Sequence, residues 1–524
     1  MSPRSARWRA LGALGVVAAL AAAALVVSAL TDTGSGDPQA PTLTAPAVKP
    51  DFTARIGSPE GRPVPAGFLG FSIEFQAIRS YTGSDPRRIN PVFVQLIRNL
   101  SPGQAPMIRI GGDSTDASWA PTPGIHPPPQ VTYKLTASWY ATTAAAIHAL
   151  GAKLTIGVNL GADQPALAAA EARRDVRAFR GSLRAFEIGN EPNVYNKIAA
   201  YRTPSGMPVL TRPASFGYPQ YLEQFHAIAR RLPSLPLAGP ALAAGPKPVP
   251  GSWTDSMAGF MRSNPRLRYL TIHRYPLRNC FVAPSSPQYP TVLNLLSSYS
   301  TTALAAGVSR YVQLAHAAGR ELRIDELNSV ACHGKRGVSD TFASSLWAVD
   351  VLFELARLGV DGVNLHTLPH SAYQLFAFSH DGGRWTAAVA PVYYGLYLFS
   401  QAAPPGSRLL KIDAPSHVPG VSIWATRAPD GQVRAVIDNE NPIRRINIGL
   451  RAPAGAQGPA NLVRMRAPGV HARGQVTIGG AGFGARTDSG VLPSPRMLAL
   501  DQRDGLYSLS VPAGSAALVT FARR

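Results

Sequence analysis

One stretch near the middle of the chain reads Phe186-Glu187-Ile188-Gly189-Asn190-Glu191-Pro192-Asn193. The apolar run from Leu183 to Ile188 predicts a buried strand, and the Gly, Asn, acid and Pro that follow it end regular strand pairing. Glu191 is therefore expected at the carboxyl end of a strand. In a parallel α/β barrel that end carries the active site. A single Glu-Pro is also compatible with an ordinary solvated turn.

A second stretch repeats this pattern, with Leu322-Arg323-Ile324-Asp325-Glu326-Leu327-Asn328 placing Glu326 at the end of a short apolar strand. Two carboxylates at two strand ends are what cleavage of a glycosidic bond requires. Asp325 is the alternative acid. Because neighbouring residues of a strand face opposite sides, we expect only one of the two acids to enter a shared pocket.

Strand-like and helix-like segments alternate around these two stretches. Apolar runs predict eight strands, at residues 68–75, 107–110, 153–160, 183–189, 235–239, 269–275, 322–326 and 362–366. Apolar residues at helical spacing predict helices at residues 89–100, 137–150, 219–232, 256–261, 303–318, 341–358 and 391–401. This alternation predicts a (β/α)8 TIM barrel of the α/β class.

The pattern changes after about Ala403, where short alternating segments are separated by Gly, Pro and Asp. Such segments predict an antiparallel β-sandwich. A chain of 524 residues also exceeds what one ordinary core uses. We therefore divide it into an export segment at 1–30, a Pro/Thr/Ala/Gly-rich linker at 31–50, a catalytic barrel at 51–402 and a C-terminal sandwich domain at 403–524.

The first thirty residues have the composition of an export signal. Three arginines precede an uninterrupted apolar run from Ala10 to Leu30, which is long enough to span a bilayer. This is either a secretory signal peptide or an uncleaved membrane anchor, and the small residues at Val27-Ser28-Ala29 favour cleavage. We expect a secreted or extracytoplasmic protein that contacts the membrane, if at all, through residues 10–30.

The chain is basic, with 51 Lys and Arg against 30 Asp and Glu and a formal charge of +21. A field of this sign favours anionic partners such as acidic sugars, although a solvated Arg-rich surface explains it equally well. The Lys and Arg residues do not cluster with interleaved aromatics, so nucleic acid is not an expected partner. Two Cys and 11 His without zinc-like spacing give no reason to expect a metal site.

Cys280 and Cys332 are the two cysteines of the chain, and each follows a predicted strand end by a few residues. In an exported protein two such cysteines are candidates for a disulfide, which here would tie two loops of the active face together. Two unlinked thiols are the alternative.

The spacing of the motifs suggests roles for individual residues. Strands four and seven lie across a barrel from each other, so Glu191 as acid/base and Glu326 as nucleophile could reach the separation of about 5 Å that retaining glycosidases use. Asn190 would hydrogen-bond the sugar 2-hydroxyl, or serve as a turn residue. His273 and Tyr275 point the same way on strand six, and the Tyr275 hydroxyl would keep Glu326 ionised. A packed core His-Tyr pair is the alternative.

At these residues the chain resembles the glycoside hydrolases of the β-glucuronidase/heparanase family, family 79 of the large barrel clan A. The resemblance spans roughly residues 51–524 and implies catalytic glutamates on strands four and seven. Asn-Glu-Pro occurs throughout the clan, whereas the stretch at residues 337–343 is the narrower marker. The matching pieces are Ile108-Arg109-Ile110-Gly111-Gly112, Gly189-Asn190-Glu191-Pro192, His273-Arg274-Tyr275-Pro276, Asp325-Glu326-Leu327-Asn328-Ser329, Gly337-Val338-Ser339-Asp340-Thr341-Phe342-Ala343 and Gly362-Val363-Asn364-Leu365-His366.

The resemblance agrees with the roles given to both glutamates and adds further contacts. It implies that Glu74 and Asp113 contact hydroxyls of the sugar that is cleaved. It also implies that the loop after the seventh strand binds a uronate carboxylate, partly through backbone N–H groups. That loop is Val330-Ala331-Cys332-His333-Gly334 here, so His333 and Gly334 are the candidate substrate-binding residues.

The expected function is that of a secreted retaining β-glucuronidase whose partner is an acidic carbohydrate. No cofactor is expected, because two carboxylates and water complete the reaction. One alternative is the same catalytic machinery acting on neutral β-glycosides. Another is a non-catalytic carbohydrate-binding or cell-wall protein, since a fold does not by itself determine a function.

Overall fold

The structure is a computed structural model that describes residues 43–245, 251–415, 418–452, 456 and 458–522. The predicted export segment at 1–30 and most of the predicted linker lie outside the described residues. No helix within the described ranges is long and apolar enough to cross a membrane.

Over the described part of the chain, eight parallel strands close into a barrel. Strand Gly362–Thr367 pairs with strand Leu69–Glu74 and so completes the ring. The predicted (β/α)8 barrel is confirmed. In chain order, β1 to β8 are Leu69–Glu74, Met107–Gly111, Lys153–Val158, Leu183–Ile188, Leu237–Ala243, Leu267–Arg274, Glu321–Leu327 and Gly362–Thr367.

The barrel strands are buried on both faces, with side chains filling the interior and helices covering the outside. Strands β1 and β8 are buried along their whole length. This double burial explains why they read as apolar runs rather than as alternating patterns. Charged residues within the buried barrel strands are therefore unusual and need partners inside the barrel. Arg109 in β2 and Glu187 in β4 are two examples.

Helices follow most of the barrel strands. Ala137–Leu150 is typical: the Thr136 side chain accepts a hydrogen bond from Trp139 N (3.1 Å) at its start, and Gly151 ends it in the left-handed conformation. The described helices of the barrel are Ile78–Thr82, Pro91–Asn99, Ala137–Leu150, Pro165–Ala178, Tyr218–Ala229, Met257–Ser263, Val292–Leu295, Thr302–Ala306, Ser309–Ala317, Ala343–Arg357 and Pro391–Ala402.

Besides the short helices Ile78–Thr82 and Val292–Leu295, which were not predicted, two longer segments differ from expectation. Pro165–Ala178 was not predicted, because it buries Glu171 and Asp175 together with its alanines and its charged residues do not mark a single solvent face. The helix predicted at 303–318 is instead two helices, which are separated at Gly307 and Val308.

The C-terminal domain is a curled, mostly antiparallel sheet, and eleven strands of it fall within the described residues. Alternate residues of its strands, such as Ile446, Ile448 and Leu450, build a second hydrophobic core. The predicted antiparallel β domain is confirmed. Its strands are Phe52–Glu60, Arg408–Asp413, Val421–Arg427, Val433–Asn439, Ile446–Arg451, Ala460–Arg466, Thr477–Ile478, Leu498–Leu500, Gln502–Arg503, Leu506–Val511 and Ser515–Thr520.

The strand Phe52–Glu60 belongs to this sheet, although the sequence analysis placed residues 51–402 in the barrel. It pairs antiparallel with Arg408–Asp413 and parallel with Ile446–Arg451. A strand's partner is not encoded in its own periodicity, so pairing at such a distance along the chain could not be read from the pattern.

The sheet packs against the side of the barrel through the helices Ala343–Arg357 and Pro391–Ala402. The Trp424 ring stacks on Phe353 with centroids 5.4 Å apart, and its indole N–H donates to Asp350 Oδ1 at 2.9 Å. The helix Ala343–Arg357 is buried over all but its last residue, because it lies between the barrel and the sheet.

Small two-stranded sheets extend the loops at the carboxyl ends of the barrel strands. One follows β2, one follows β4, one is formed jointly by the loops after β6 and β7, and one follows β8. Together they extend the face of the barrel at which active sites lie. The pairs are Ser118–Trp119 with Tyr133–Lys134, Ala199–Arg202 with Pro208–Leu210, Leu277–Arg278 with Val330–Ala331, and Phe376–Asp381 with Arg384–Val389.

Candidate active site

A cavity of about 420 Å³ opens among these loops at the carboxyl ends of the barrel strands. Two histidines and three tyrosines line it, and among the described residues neither Lys nor Arg does. Its most unusual feature is a set of carboxyl groups, which belong to Glu74, Asp113, Asp116, Glu191 and Glu326.

The turn after β4 holds Glu191 in an uncommon backbone conformation. Gly189 and Glu191 both have positive φ, 80° and 48°, and a Cβ on Gly189 would lie 2.7 Å from Leu160 Cδ2. Glu191 N donates to Ala241 O at 2.9 Å, which fixes the turn against β5. A non-glycine residue in this region costs free energy, and such residues concentrate at functional sites.

Asp116, which the sequence analysis missed, ties this turn to the loop after β3. Its Oδ1 accepts hydrogen bonds from Leu160 N (3.0 Å) and Gly161 N (2.7 Å). Its Oδ2 accepts from the Tyr195 hydroxyl and from Asn190 N (3.3 Å). Asp116 therefore orders the backbone that presents Asn190 and Glu191.

His273 on β6 connects the two predicted catalytic glutamates. Its Nδ1 donates to Glu191 Oε1 at 2.8 Å and lies 3.9 Å from Glu326 Oε2. The ring nitrogen and one oxygen of each glutamate all lie within 4.8 Å of one another. The structure thus brings together two acids that the sequence separates widely.

Glu326 is surrounded by groups that favour its charged form. The Tyr275 hydroxyl donates to Oε1 at 2.7 Å, and Arg109 Nη1 donates to Oε2 at 2.9 Å. Burial raises the pKa of Glu326, but the charges of His366, His273 and Arg109 and the Tyr275 hydrogen bond outweigh it, so the net pKa lies well below the usual range. Glu326 is therefore a carboxylate at neutral pH.

Arg109 is the centre of the polar network beneath the cavity. Its fully buried guanidinium donates from Nε to Glu187 Oε2 (2.6 Å), and from Nη2 to Asn190 Oδ1 (2.9 Å). Nη1 also reaches Ser72 Oγ at 3.0 Å. The sequence analysis gave Arg109 no role, although a charged residue inside the apolar run 108–110 was a usable signal.

Asp325 does not follow the expected alternation. Ile272 pairs with Ile324 and His273 pairs with Glu326, so Asp325 is left unpaired in a β-bulge. The extra residue turns its side chain inward, 3.6 Å from the same guanidinium that binds Glu326 and 3.6 Å from His273 Nε2. Only Glu326 of the two acids lines the cavity.

Glu187 and Asp325 are two buried acids that both lie beside Arg109, at 2.6 and 3.6 Å from its Nε, and Glu187 is the one that stays protonated at neutral pH. Burial raises the pKa of Glu187 to about 8, and the charge of Asp325 adds to this against the opposing effect of Arg109. For Asp325, burial is outweighed by His273, Glu187 and Arg109, and its pKa is lowered. His273 has the opposite balance, because burial lowers its pKa but Glu326 and Asp325 raise it well above the usual range.

Glu74 and Asp113 lie side by side at the ends of β1 and β2. Glu74 accepts hydrogen bonds from Asp113 N (3.0 Å), Ser114 N (2.8 Å) and the Ser114 hydroxyl. Asp113 Oδ1 accepts from Asn190 Nδ2 at 3.1 Å. Desolvation within the cavity and the charge of Glu326 raise the pKa of both acids, of which Glu74 is buried and Asp113 still has an exposed surface.

The predicted disulfide between Cys280 and Cys332 is present, with Cα atoms 6.2 Å apart. It joins the loops after β6 and β7 at the cavity. The structure places His333 on the cavity lining, whereas Gly334 lies behind it, where a Cβ would be 3.0 Å from Tyr373 N.

Glu191, His273 and Glu326 present donor atoms close enough together to hold a metal ion. His273 Nδ1 lies between the two carboxyl groups, 2.8 Å from Glu191 Oε1 and 3.9 Å from Glu326 Oε2. Its hydrogen bond to Glu191 accounts for the close approach without an ion.

Comparison with protein-family models gives no match. Among curated proteins, the chain is similar to a β-glucuronidase of Neurospora crassa, with 24% identity over 426 residues that cover 74% of this chain and 73% of that protein. A β-glucuronidase of Aspergillus niger is 25% identical over 418 residues, which cover 74% of each chain.

Solved structures share the architecture. A 4-O-α-L-rhamnosyl-β-D-glucuronidase from Fusarium oxysporum 12S superposes with a TM-score of 0.67 at 19% identity, over 91% of this chain and 100% of that one. An arabinofuranosidase of glycoside hydrolase family 51 from Xanthomonas axonopodis pv. citri gives 0.61 at 13% identity, over 90% and 100%.

Proposed function

We propose that this chain, a glycoside hydrolase, cleaves β-glucuronides with retention of anomeric configuration. The observation that carries the mechanism is the approach of a Glu191 oxygen to a Glu326 oxygen within 4.8 Å. Retaining enzymes hold their two carboxyl groups about 5 Å apart, whereas inverting enzymes leave room for a water at about 6.5–9.5 Å. The two curated relatives named β-glucuronidases support the choice of sugar, as they do membership of the β-glucuronidase/heparanase family.

In the first step the Glu326 carboxylate attacks the anomeric carbon while Glu191 gives its proton to the leaving oxygen. The glycosidic C–O bond breaks and a glycosyl ester forms on Glu326. In the second step Glu191, now a carboxylate, takes a proton from water, whose oxygen attacks the same carbon and releases Glu326. The groups that keep Glu326 ionised, Arg109 and Tyr275, prepare the nucleophile for the first step.

The sugar would lie between Glu74, Asp113 and Asn190 on one side and His333 on the other. The pKa of both acids is raised, which favours the protonated form, and a carboxyl group accepts from sugar hydroxyls when ionised and can also donate to them when protonated. Asn190 already donates to Asp113 Oδ1, which places its amide close to these groups. His333 is the residue that we assign to the uronate carboxylate.

One observation favours a second candidate, a retaining glycosidase for neutral sugars. The described cavity lining holds five carboxyl groups and neither Lys nor Arg. A uronate entering this cavity adds another negative charge, and among the described lining side chains His333 and His366 are the ones that could offset it, together with backbone N–H groups. A neutral sugar meets no such cost.

A substrate panel decides between these candidates. Residues 31–524 would be purified and tested against chromogenic β-glucuronide, β-glucoside, β-galactoside and β-xyloside, with Glu191→Ala and Glu326→Ala as controls. We expect turnover of the glucuronide alone, loss of activity in Glu326→Ala, and a first-formed product of β configuration by NMR.

Turnover of a neutral glycoside would leave the proposed mechanism standing but would show that the substrate is not a glucuronide. A first-formed product of α configuration would overturn the retaining mechanism. Export by residues 1–30 is a separate proposal, which N-terminal sequencing of the protein recovered outside the cytoplasm would test. Recovery with the segment intact in the membrane fraction would identify an anchor.

A further inference from the structure

We propose that the cavity wall beside Glu191 binds an apolar aglycone, preferably an aromatic ring, as the group that leaves when the glycosidic bond breaks. This inference rests on the proposed function, because it assigns the leaving-group side of the same site. The apolar wall consists of Val194, Ile198, Ala199, Ala200 and Phe281, all of which line the cavity.

The position of the general acid sets the side on which the aglycone lies. Glu191 must reach the glycosidic oxygen to protonate it, so the leaving group starts next to Glu191. The chain runs from Glu191 directly into residues 194–200 of the apolar wall. The sugar ring, by contrast, lies towards Glu74 and Asp113.

Two large apolar side chains of the apolar wall are exposed to solvent. Phe281 is 85% exposed and Ile198 is 50% exposed. Single exposed apolar residues are ordinary, but these two line one cavity, and Tyr201 and Met207 extend the exposed apolar surface along the adjoining hairpin.

Phe281 also has a strained backbone, with φ of 51°. A bulky residue in the left-handed region is strained and uncommon. Its ring does not offset this strain by burial in the free enzyme, because it is exposed. The neighbouring disulfide at Cys280 holds this part of the loop in place. A ligand ring that covers Phe281 accounts for both the exposure and the conformation.

The chemistry of the surrounding residues separates an apolar aglycone from a second acidic sugar. A sulfated or uronate neighbour needs cations, and the described lining offers neither Lys nor Arg. Near the apolar wall the lining offers Gln130 and Thr211 as uncharged hydrogen-bonding side chains. The described lining therefore favours an apolar group over the next unit of a charged polysaccharide.

The test compares 2-naphthyl and phenyl β-glucuronides, which differ in apolar area while their leaving phenols have similar acidity. The wild type should prefer the naphthyl substrate, and Phe281→Ala and Ile198→Ala should each raise KM for it about 3- to 10-fold with kcat nearly unchanged. Both positions are exposed, so the variants should fold. Ile443→Ala, at a residue 89% exposed outside the cavity lining, is the matched control and should change nothing.

An unchanged naphthyl-to-phenyl ratio in the double variant Phe281→Ala/Ile198→Ala would overturn the proposal. The outcome does not depend on the sugar, because the same aglycone pair can be measured on whichever glycoside the wild type turns over. If it turns over none, calorimetric binding of both aryl glycosides to Glu326→Gln gives the same comparison without chemistry. Equal affinity for the two there would also refute an aromatic subsite.

Discussion

Arg109 donates a hydrogen bond of 2.9 Å to Glu326 and so connects the second barrel strand to the seventh. The same buried guanidinium binds Glu187 and Asn190. One cation therefore positions the proposed nucleophile and a proposed substrate contact, and it offsets the charge of several acids that burial would otherwise neutralise.

Replacing Arg109 with Met should reduce both stability and turnover. The change removes the cation that pairs with Glu326 and Asp325, and breaking a buried ion pair costs about 3–5 kcal/mol. Chemical denaturation and kcat would measure the two effects. Arg323→Met is the matched control, since Arg323 is a buried arginine that binds Gly67 O and Asn364. It should destabilise the fold but leave kcat per folded molecule intact, whereas equal losses of kcat in both variants would contradict the role given to Arg109.

Tyr275→Phe should shift the pH profile. The Tyr275 hydroxyl helps to lower the pKa of Glu326, so its removal raises that pKa and moves the acidic limb of kcat/KM to higher pH. Loss of a hydrogen bond to a charged group should lower kcat about 10- to 100-fold. A Tyr373→Phe variant, on the same cavity wall but without a hydrogen bond to Glu326 in the described contacts, should leave the acidic limb in place. An unmoved limb in Tyr275→Phe would refute the assignment.

Glu187→Gln should change how stability depends on pH. The folded-state pKa of about 8 lies above the unfolded value near 4.5, so folded Glu187 keeps a proton that the unfolded chain has released. Its contribution to stability is complete below the unfolded pKa and is lost as the pH rises to about 8, by at most about 1.4 kcal/mol per pH unit. Denaturation from pH 5 to 8 should show wild-type stability falling relative to Glu187→Gln. Parallel curves would contradict the proton assignment.

Removing the disulfide should loosen the face of the barrel that carries Phe281 and His333. The bond closes a segment with a sequence separation of 52, and its loss through Cys280→Ser/Cys332→Ser should cost about 2–4 kcal/mol of unfolding free energy. Thermal unfolding measures this, and a non-reduced peptide map checks that the wild type contains the bond. Free-thiol labelling of both cysteines in the wild type would show that the bond does not form.

Much of the architecture was predictable because local patterns carry it. Most barrel strands end in a clear change of composition, although the fifth runs to Ala243 and not to its predicted end at residue 239. The order of the strands then follows from the barrel rule that consecutive parallel strands are neighbours. The enzyme class, glycoside hydrolase, is confirmed by the curated relatives. The roles of Glu191 and Glu326 stay predictions that their geometry supports.

The parts that escaped prediction depend on contacts between distant segments. The bulge at Asp325 changes which way a side chain points, and nothing in the apolar run marks it. The roles of Arg109 and Glu187 become visible only when the barrel brings them together, with Arg109 Nε 2.6 Å from Glu187 Oε2. The helix Pro165–Ala178 hides its acids inside, so its amphipathic signal is weak.

The strand Phe52–Glu60 has a consequence for the order in which the molecule can be assembled. During synthesis it leaves the ribosome before the barrel, yet Ile56 pairs with Ile412 and Phe52 with Ile448. At about 5–20 residues per second, it waits tens of seconds for those partners. The barrel must therefore fold, or be protected by a chaperone, while both edges of Phe52–Glu60 are still unpaired. The sheet is completed only when Arg408–Asp413 and Ile446–Arg451 pair with the two edges of this strand. Shortening the chain at its C-terminal end should accordingly leave Phe52–Glu60 as an unpaired, aggregation-prone edge.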